Sequence, residues 1–425
     1  MKTAALSQTI DSSFPGGPRP IASRRLAGKH VAMVVYSSYP NDPLPRRAVS
    51  ALVDEGATVD LVTLAGSNGG RWSEQLGAIH LFRIPIRHQR GGALGYGYQY
   101  TAFILISSFL FAIRSLFRRY DLVYVHNMPD VLVISGLFPK LLGAKVVLDQ
   151  HDPMPELMTT IFGASPESRS VRILKWLEKW SIARADLVVT VNVACKRIFS
   201  ARSCRPEKIA VVMNAPDGKI FPYRAARSDE AIHRKERFAV MYHGSIVERN
   251  GLDLAIDAIT QVRERVPDVE LRVFGGSTPF LERMKEVVRE RHLEGTVRFL
   301  GTKSLEEIVQ EIQDCDLGVI PNHYNAFTEI NTPTRIFEYL ALGTPAVSPA
   351  TSGIEDYFAK DSMLFFEPGN PADLARVIEY AFHHPEEIAS VARKGQQVYL
   401  QHTWENERET LLQRVSDLLR VGGPR

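Results

Sequence analysis

The stretch AVMYHGSIVERNGLDLAIDAITQVRERV, residues 239–266, decides how this chain is read. It opens on an apolar run of strand length, AVMYH, and closes on LDLAIDAITQVRERV, a helical pattern. SIVERNG joins the two and ends in a glycine. Strand, polar loop and helix in this order make one βα unit. In a parallel sheet built from such units, ligands bind beyond the carboxyl ends of the strands. Ser245, Glu248, Arg249 and Asn250 occupy that position here and are the first candidates for a binding loop.

Working outward, the same rhythm recurs. HVAMVVYS leads through RRAVSALVDEG to TVDLVTL, and DLVYVH, KVVLDQHD, DLVVTVN and KIAVVMN follow. After residue 239 come VELRVFGG, VRFLG, DLGVIP and PAVSP. Alternation of short β-branched runs with helical patterns describes parallel sheets covered by helices. Asp121, Asp186 and Asp316 each open a strand in the same way, as punctuation between helix and strand. The rhythm breaks at residues 215–238, charged and marked by Pro and Gly, which reads as a linker. The expected organisation is α/β: an N-terminal extension over 1–28, a Rossmann-like domain over 29–214, a linker over 215–237, a second Rossmann-like domain over 238–400, and a closing helical segment over 401–425. Two doubly wound domains would face a central cleft, the default ligand site.

Composition fits. A chain of 425 residues exceeds one ordinary core, 45% hydrophobic and 23% charged residues describe a soluble globular protein, and a net charge of +3 gives no reason to expect nucleic acid. Three cysteines without metal-ligand spacing imply free thiols in a reducing cytoplasm. The N-terminus lacks the apolar core of a signal peptide. The longest apolar run, TAFILISSFLFAI at 101–113, is shorter than the roughly 20 residues of a membrane span and is expected to be a buried or interfacial helix. The first strand carries no G-x-G-x-x-G and the chain no Walker A motif, so no nicotinamide cofactor or P-loop is expected. Asp314-Cys315-Asp316 reads as a helix-to-strand junction, and no metal is expected.

Other strand ends supply Asp42 and Arg46, His126 and Asn127, and His151 with Asp152. NTPTRIFEYLALGTPAV, residues 331–347, adds a short helix with Thr332 as its expected N-cap, Pro333 at its first turn, and Arg335 and Glu338 one turn apart. A free helix N-terminus beside an arginine is an anion site, with a carboxylate one turn deeper.

In order and spacing, YHGSIVERNGLDLAIDAI, VRFLGTKSLEEIVQEIQDCDLGVIP, PTRIFEYLALGTPAVSP and VVMNAPDGKIF resemble the retaining glycosyltransferases of glycosyltransferase family 4, which have the GT-B fold. The likeness runs from about Lys29 to about Leu419. It implies a nucleotide-diphosphate sugar donor on the C-terminal side and an acceptor on the N-terminal side. Carried over, Glu338 would hold the donor ribose, while Thr334, Arg335 and the helix start, with Arg249, would face the diphosphate. Ser245 and Asn250 would complete that loop, Gly301 and Thr302 would lie near the base, and His151 would be the active-site histidine. Three departures stand out. Position 330, where the family often has a second glutamate, is Ile, with Glu329 the nearest acid. Ser245 and Asn250 replace a common Arg and Lys. SSYPND replaces a glycine pair after the first strand. A different GT-B enzyme, such as a sugar-phosphate synthase or nucleotide-sugar epimerase, and a non-catalytic sugar-binding protein remain alternatives.

The acceptor reading rests on residues 83–119. Arg83, Arg87, His88 and Arg90 precede an aromatic, glycine-rich turn and the apolar run, and Arg114, Arg118 and Arg119 follow it. Cations for phosphate and an apolar face for lipid chains suit a lipid-linked saccharide at the inner face of a membrane.

Overall fold

The computed structural model describes residues 24–66, 70–86, 93–226, 237–266 and 268–420. Its first elements are β1 (His30–Ser38), α1 (Pro43–Asp54), β2 (Thr58–Leu64), β3 (Ser73–Leu76), β4 (Ile79–Ile84), α2 (Ala93–Phe117), β5 (Leu122–His126) and α3 (Leu137–Leu141). Next come β6 (Lys145–Gln150), α4 (Met154–Phe162), α5 (Arg169–Arg184), β7 (Leu187–Thr190), α6 (Val193–Arg202) and β8 (Ile209–Val211). Then follow β9 (Phe238–His243), α7 (Leu252–Val262), β10 (Val269–Phe274), α8 (Pro279–Glu290), β11 (Val297–Gly301), α9 (Leu305–Asp314) and β12 (Leu317–Val319). The chain closes with α10 (Thr334–Ala341), β13 (Ala346–Pro349), α11 (Ser352–Glu355), β14 (Leu364–Phe366), α12 (Pro371–His383), α13 (Pro385–Gln401) and α14 (Trp404–Arg420).

Two sheets result, in the orders β3-β4-β2-β1-β5-β6-β7-β8 and β11-β10-β9-β12-β13-β14. The smaller sheet is parallel throughout. In the larger one β3 runs antiparallel to β4, while β1 pairs in parallel with β2 and β5. These are the two Rossmann-like sheets of the GT-B fold. By contacts the chain falls into two compact units, one drawn from Met1–His126, Ile134–Val147 and Val415–Arg425, the other from Asn127–Val133 and Leu148–Arg414.

The side-chain alternation of β9 shows why the smaller sheet is covered on both faces. Val240 and Tyr242 enter one core cluster with Leu252, Ile256, Ile259 and Leu374. Ala239 and Met241 enter another with Ile312, Ile336, Phe337 and Leu340. A period of two sends successive residues to opposite faces, and both faces meet a helix layer. The aspartates that open strands act on neighbouring strands. Asp316 accepts from the Ala239 amide at 2.8 Å, and Asp121 accepts from the His30 amide at 2.9 Å and from Lys29 Nζ at 3.0 Å.

Several expectations need correction. β3, β4 and β14 were not foreseen. α10 begins at Thr334, one residue beyond Pro333, and Thr332 does not cap it. Its hydroxyl instead donates to the Gly353 carbonyl at 2.5 Å and accepts from Asn192 Nδ2 at 3.1 Å. Residues 215–226, read as linker, are fastened: Arg224 N donates to Ala341 O, and Gln396 bonds both the Arg224 carbonyl and the Ala226 amide. Finally, α2 has 25 residues and extends well beyond the apolar run, so Gly97–Phe117 is long and apolar enough to cross a membrane by length and composition.

Candidate active site

The binding loop after β9 is set by two glycines. Gly251, at φ 66°, ends the turn Glu248–Asn250 and starts α7, and a Cβ there would lie 1.9 Å from the Pro321 carbonyl oxygen. No side chain fits without moving that strand end. Gly244, at φ 116°, lets the Arg335 side chain pass, since a Cβ would stand 3.3 Å from its Cδ. The loop is then tied internally. Tyr242 Oη and Asn250 Nδ2 both donate to the Ser245 carbonyl, at 2.9 and 2.7 Å.

Arg335 and Glu338 meet this loop from α10. Arg335 donates through Nη1 to the His243 carbonyl at 2.8 Å and through Nη2 to Asn322 Oδ1 at 3.2 Å, with its guanidinium 5.2 Å from the Tyr242 ring centre. One turn on, Glu338 Oε2 lies 2.6 Å from His243 Nε2. His243 Nδ1 lies 2.8 Å from the Tyr339 hydroxyl, which donates to the Met241 carbonyl at 2.7 Å. Arg335 and Glu338 are both partly exposed, while His243 and Tyr339 are buried beneath them. Arg249 is half-buried, and its guanidinium makes no hydrogen bond or ion pair among the described residues. Gly301 joins the same strand ends, because its carbonyl accepts from Gly275 N while Gly244 N donates to Phe274 O. Thr302, next to it, is exposed.

His151 and Asp152 belong to the same compact unit. Their loop is held by Asn127, whose Oδ1 accepts from the His151 amide at 2.9 Å and whose Nδ2 donates to the Asp152 carbonyl at 2.9 Å. His151 Nε2 stands 3.3 Å from Asp149 Oδ2. Burial pushes the Asp152 carboxyl up, opposed by the charges of His151 and Arg249. Arg249 therefore acts on the histidine loop as well as on its own. Asn127 also donates to Asp130, whose carboxyl burial pushes up to about 7. Burial first, then Asp152 and Glu156, push the Cys195 thiol up to about 12.

The remaining candidates fall elsewhere. Thr334 is the first residue of α10. The Glu329 carboxylate accepts from Ser352 N at 3.3 Å at the start of α11. Asp42 is the N-cap of α1, accepting from the Leu44 amide, and Arg46 lies one turn along. His126, buried at the end of β5, packs on Tyr124. Asp42, Arg46 and His126 are in the other unit, and Arg87 and Arg90 lie outside the described residues. Arg114, expected to meet lipid phosphate, is committed instead. Its Nε and Nη2 bond Asp60 at 2.7 and 3.0 Å, and with His30 and Tyr120 they hold that carboxyl well below the usual range against its burial.

Sequence reasoning missed His243, Tyr339 and Asn322. His243 was visible as a polar residue ending an apolar strand, but its partners lie some 95 positions away.

Comparisons place this arrangement. Residues 224–398 match the model for glycosyl transferases group 1, and residues 45–215 match a glycosyl transferase 4-like domain. The chain is 24% identical over 217 residues to WcaL of Escherichia coli, a glycosyltransferase named for colanic acid biosynthesis. That match covers 50% of this chain and 52% of the relative, about half its length. Among solved structures, sucrose-phosphate synthase of Thermosynechococcus elongatus matches with TM-score 0.74 at 16% identity, over 92% of this chain and all of that one. Anabaena HepE in complex with UDP-glucose matches with TM-score 0.67 at 18% identity, over 91% and 99%. The two family matches span most of the sequence on either side of the linker, and the chain belongs to the family 4-type glycosyltransferases of the GT-B fold.

Proposed function

We propose that this protein transfers a hexosyl group from a nucleotide-diphosphate sugar to a hydroxyl of a lipid-linked saccharide. The anomeric configuration is retained, and the work is done at the cytoplasmic face of a membrane in surface or exopolysaccharide assembly. The observation that carries the donor half is the start of α10. There a fixed guanidinium, a helix start that no side chain caps and a carboxylate one turn deeper stand beside the loop that presents Arg249. Guanidinium and amides suit a diphosphate, and the carboxylate suits a ribose diol. HepE, a structural neighbour, was solved with UDP-glucose, and WcaL is named for a polysaccharide pathway. With no evident nucleophile, the departing phosphate would take the acceptor's proton while Arg249 and Arg335 stabilise the developing charge. No cofactor and no metal take part in this reading.

The membrane half draws support from two faces, each in its own unit. Along α2, Leu105, Phe109, Leu116 and Phe117 are exposed. In the other unit α4 ends in exposed Ile161 and Phe162, and α5 exposes Ile173 and Trp176 among Arg169, Arg172 and Lys179. The only acids of these two helices, Glu156 and Glu178, turn inward to Arg202. A cationic face with an exposed tryptophan suits an anionic bilayer surface.

Vesicle flotation with phosphatidylglycerol tests it. Arg172→Glu with Lys179→Glu should lower co-flotation at least tenfold, at about 1 kcal/mol per basic residue, and lower activity on lipid-linked acceptors. A wild-type protein that stays in the soluble fraction and prefers a small water-soluble acceptor refutes the membrane reading.

A further inference from the structure

We propose that His243 is a positioning residue for the donor, holding the Glu338 carboxylate in place and cancelling its charge beside the diphosphate. The inference rests on the donor site described above and concerns a residue with no part in that reading.

Met241, Tyr339, His243 and Glu338 form one chain of hydrogen bonds. The Tyr339 hydroxyl donates its one proton to the Met241 carbonyl, at 2.7 Å. The same oxygen, 2.8 Å from His243 Nδ1, must then accept, which makes Nδ1 an N–H. On the far side of the ring, Nε2 and Glu338 Oε2 are 2.6 Å apart and need one proton between them. If the proton is on Nε2, an imidazolium faces a carboxylate. If it is on Oε2, a neutral imidazole faces a carboxylic acid. In both cases the His243–Glu338 pair carries no net charge.

This matters because of where Glu338 stands. It is one turn from Arg335 at the start of α10, where the donor's two phosphates would bring negative charge. A bare carboxylate there would repel the ligand it is meant to read. His243 is 5% exposed and fixed at Nδ1 by Tyr339, so water cannot take over its role cheaply. Glu338 keeps its other oxygen, Oε1, for a sugar hydroxyl. The backbone carbonyl of the same histidine accepts from Arg335 Nη1, so one residue sets the position of both the phosphate-facing cation and the ribose-facing carboxylate.

The test is a cycle of His243→Leu, Glu338→Gln and the double variant, titrated calorimetrically with UDP, ADP and GDP and with the matching free nucleosides. For the diphosphate that wild type binds best, Glu338→Gln should weaken binding about tenfold, and His243→Leu about 10- to 100-fold, in the range for hydrogen bonds to charged groups. The double variant should bind no worse than His243→Leu, because removing the carboxylate removes the uncompensated charge. The loss in His243→Leu should be larger for the diphosphate than for the nucleoside. In turnover assays the donor KM should rise while kcat changes little. A purely structural role for His243 would instead weaken both ligands equally and add to the Glu338→Gln effect, and that result overturns the proposal. Should His243→Leu fail to fold, Tyr339→Phe decides: it removes the group that orients the ring and should give a smaller loss of the same kind, and unchanged diphosphate binding overturns the proposal. If Glu338→Gln alone binds as wild type, the ribose assignment itself has failed and the proposal falls with it.

Discussion

Replacing Arg335 by alanine tests the donor site at its most constrained cation. The guanidinium spans two acceptors from different strand ends, the His243 carbonyl at 2.8 Å and Asn322 Oδ1 at 3.2 Å. Both residues are buried, so truncation leaves acceptors that water reaches poorly. A hydrogen bond from a charged donor contributes about 1.5–3 kcal/mol. Partial access through the half-buried guanidinium position should keep the cost to stability near the lower figure. The same range applied to a lost phosphate contact predicts donor affinity down by about 10- to 150-fold, at about 1.4 kcal/mol per decade. Calorimetric titration with a nucleoside diphosphate, paired with thermal melts, separates the two effects. Asn322→Ala is the internal control, since it removes one structural partner and leaves the charge, and it should lower the melting temperature with less than about a threefold change in affinity. Arg335→Lys should recover only part of the binding, because an ammonium cannot reach both acceptors in fork geometry. A folded Arg335→Ala protein that binds within about twofold of wild type would refute the assignment.

Other outcomes follow from the same geometry. Gly251→Ala must either shift the Pro321 carbonyl or leave the left-handed region, and because Asn322 adjoins Pro321, donor affinity measured by titration should fall together with stability. Asp130, pushed up to about 7 from its usual 3.8, holds a proton in the folded state that the unfolded chain releases near pH 4. Its contribution is therefore present below pH 4 and is lost as pH rises to about 7. Asp130→Asn should match wild type in melts at pH 4 and exceed it at pH 8, by at most about 4 kcal/mol. Activity should survive excess EDTA, because Asp316 of the Asp-Cys-Asp sequence is occupied by the Ala239 amide, and complete loss that magnesium or manganese restores would show a real metal site.

What the sequence made legible was whatever periodicity and local chemistry determine. The strands β1, β2 and β5 to β13 stood out as short apolar or β-branched runs between helical patterns. β3 did not, since SEQL is mostly exposed and pairs only as an edge. The loop after β9 was legible through Asn250-Gly251 before a helical pattern. Thr332 misled because a tertiary partner won: Gly353 and Asn192 use its hydroxyl, and no local rule foretells either. Arg114 misled for the same reason, since Asp60 lies 54 positions away and looks like an ordinary strand residue. Glu329 was proposed by proximity to an expected position, and the fold gives its carboxylate to a helix start instead.

These cases share a physical cause. A formal charge of +3 says little about ligands, because what a ligand meets is charge left over after the fold has used its own. Arg114 is spent on Asp60, and Arg202 on Glu156 and Glu178. Arg249 is different. It makes no hydrogen bond or ion pair among the described residues, yet it is half-buried and its charge reaches Asp152 beside His151. Holding a cation partly out of water without a hydrogen-bonded partner costs stability. The fold bears that cost on a loop fixed by Gly251 and by the two bonds to the Ser245 carbonyl. An anionic ligand at Arg249 would supply such a partner, and it would also lower the positive charge that Asp152 feels.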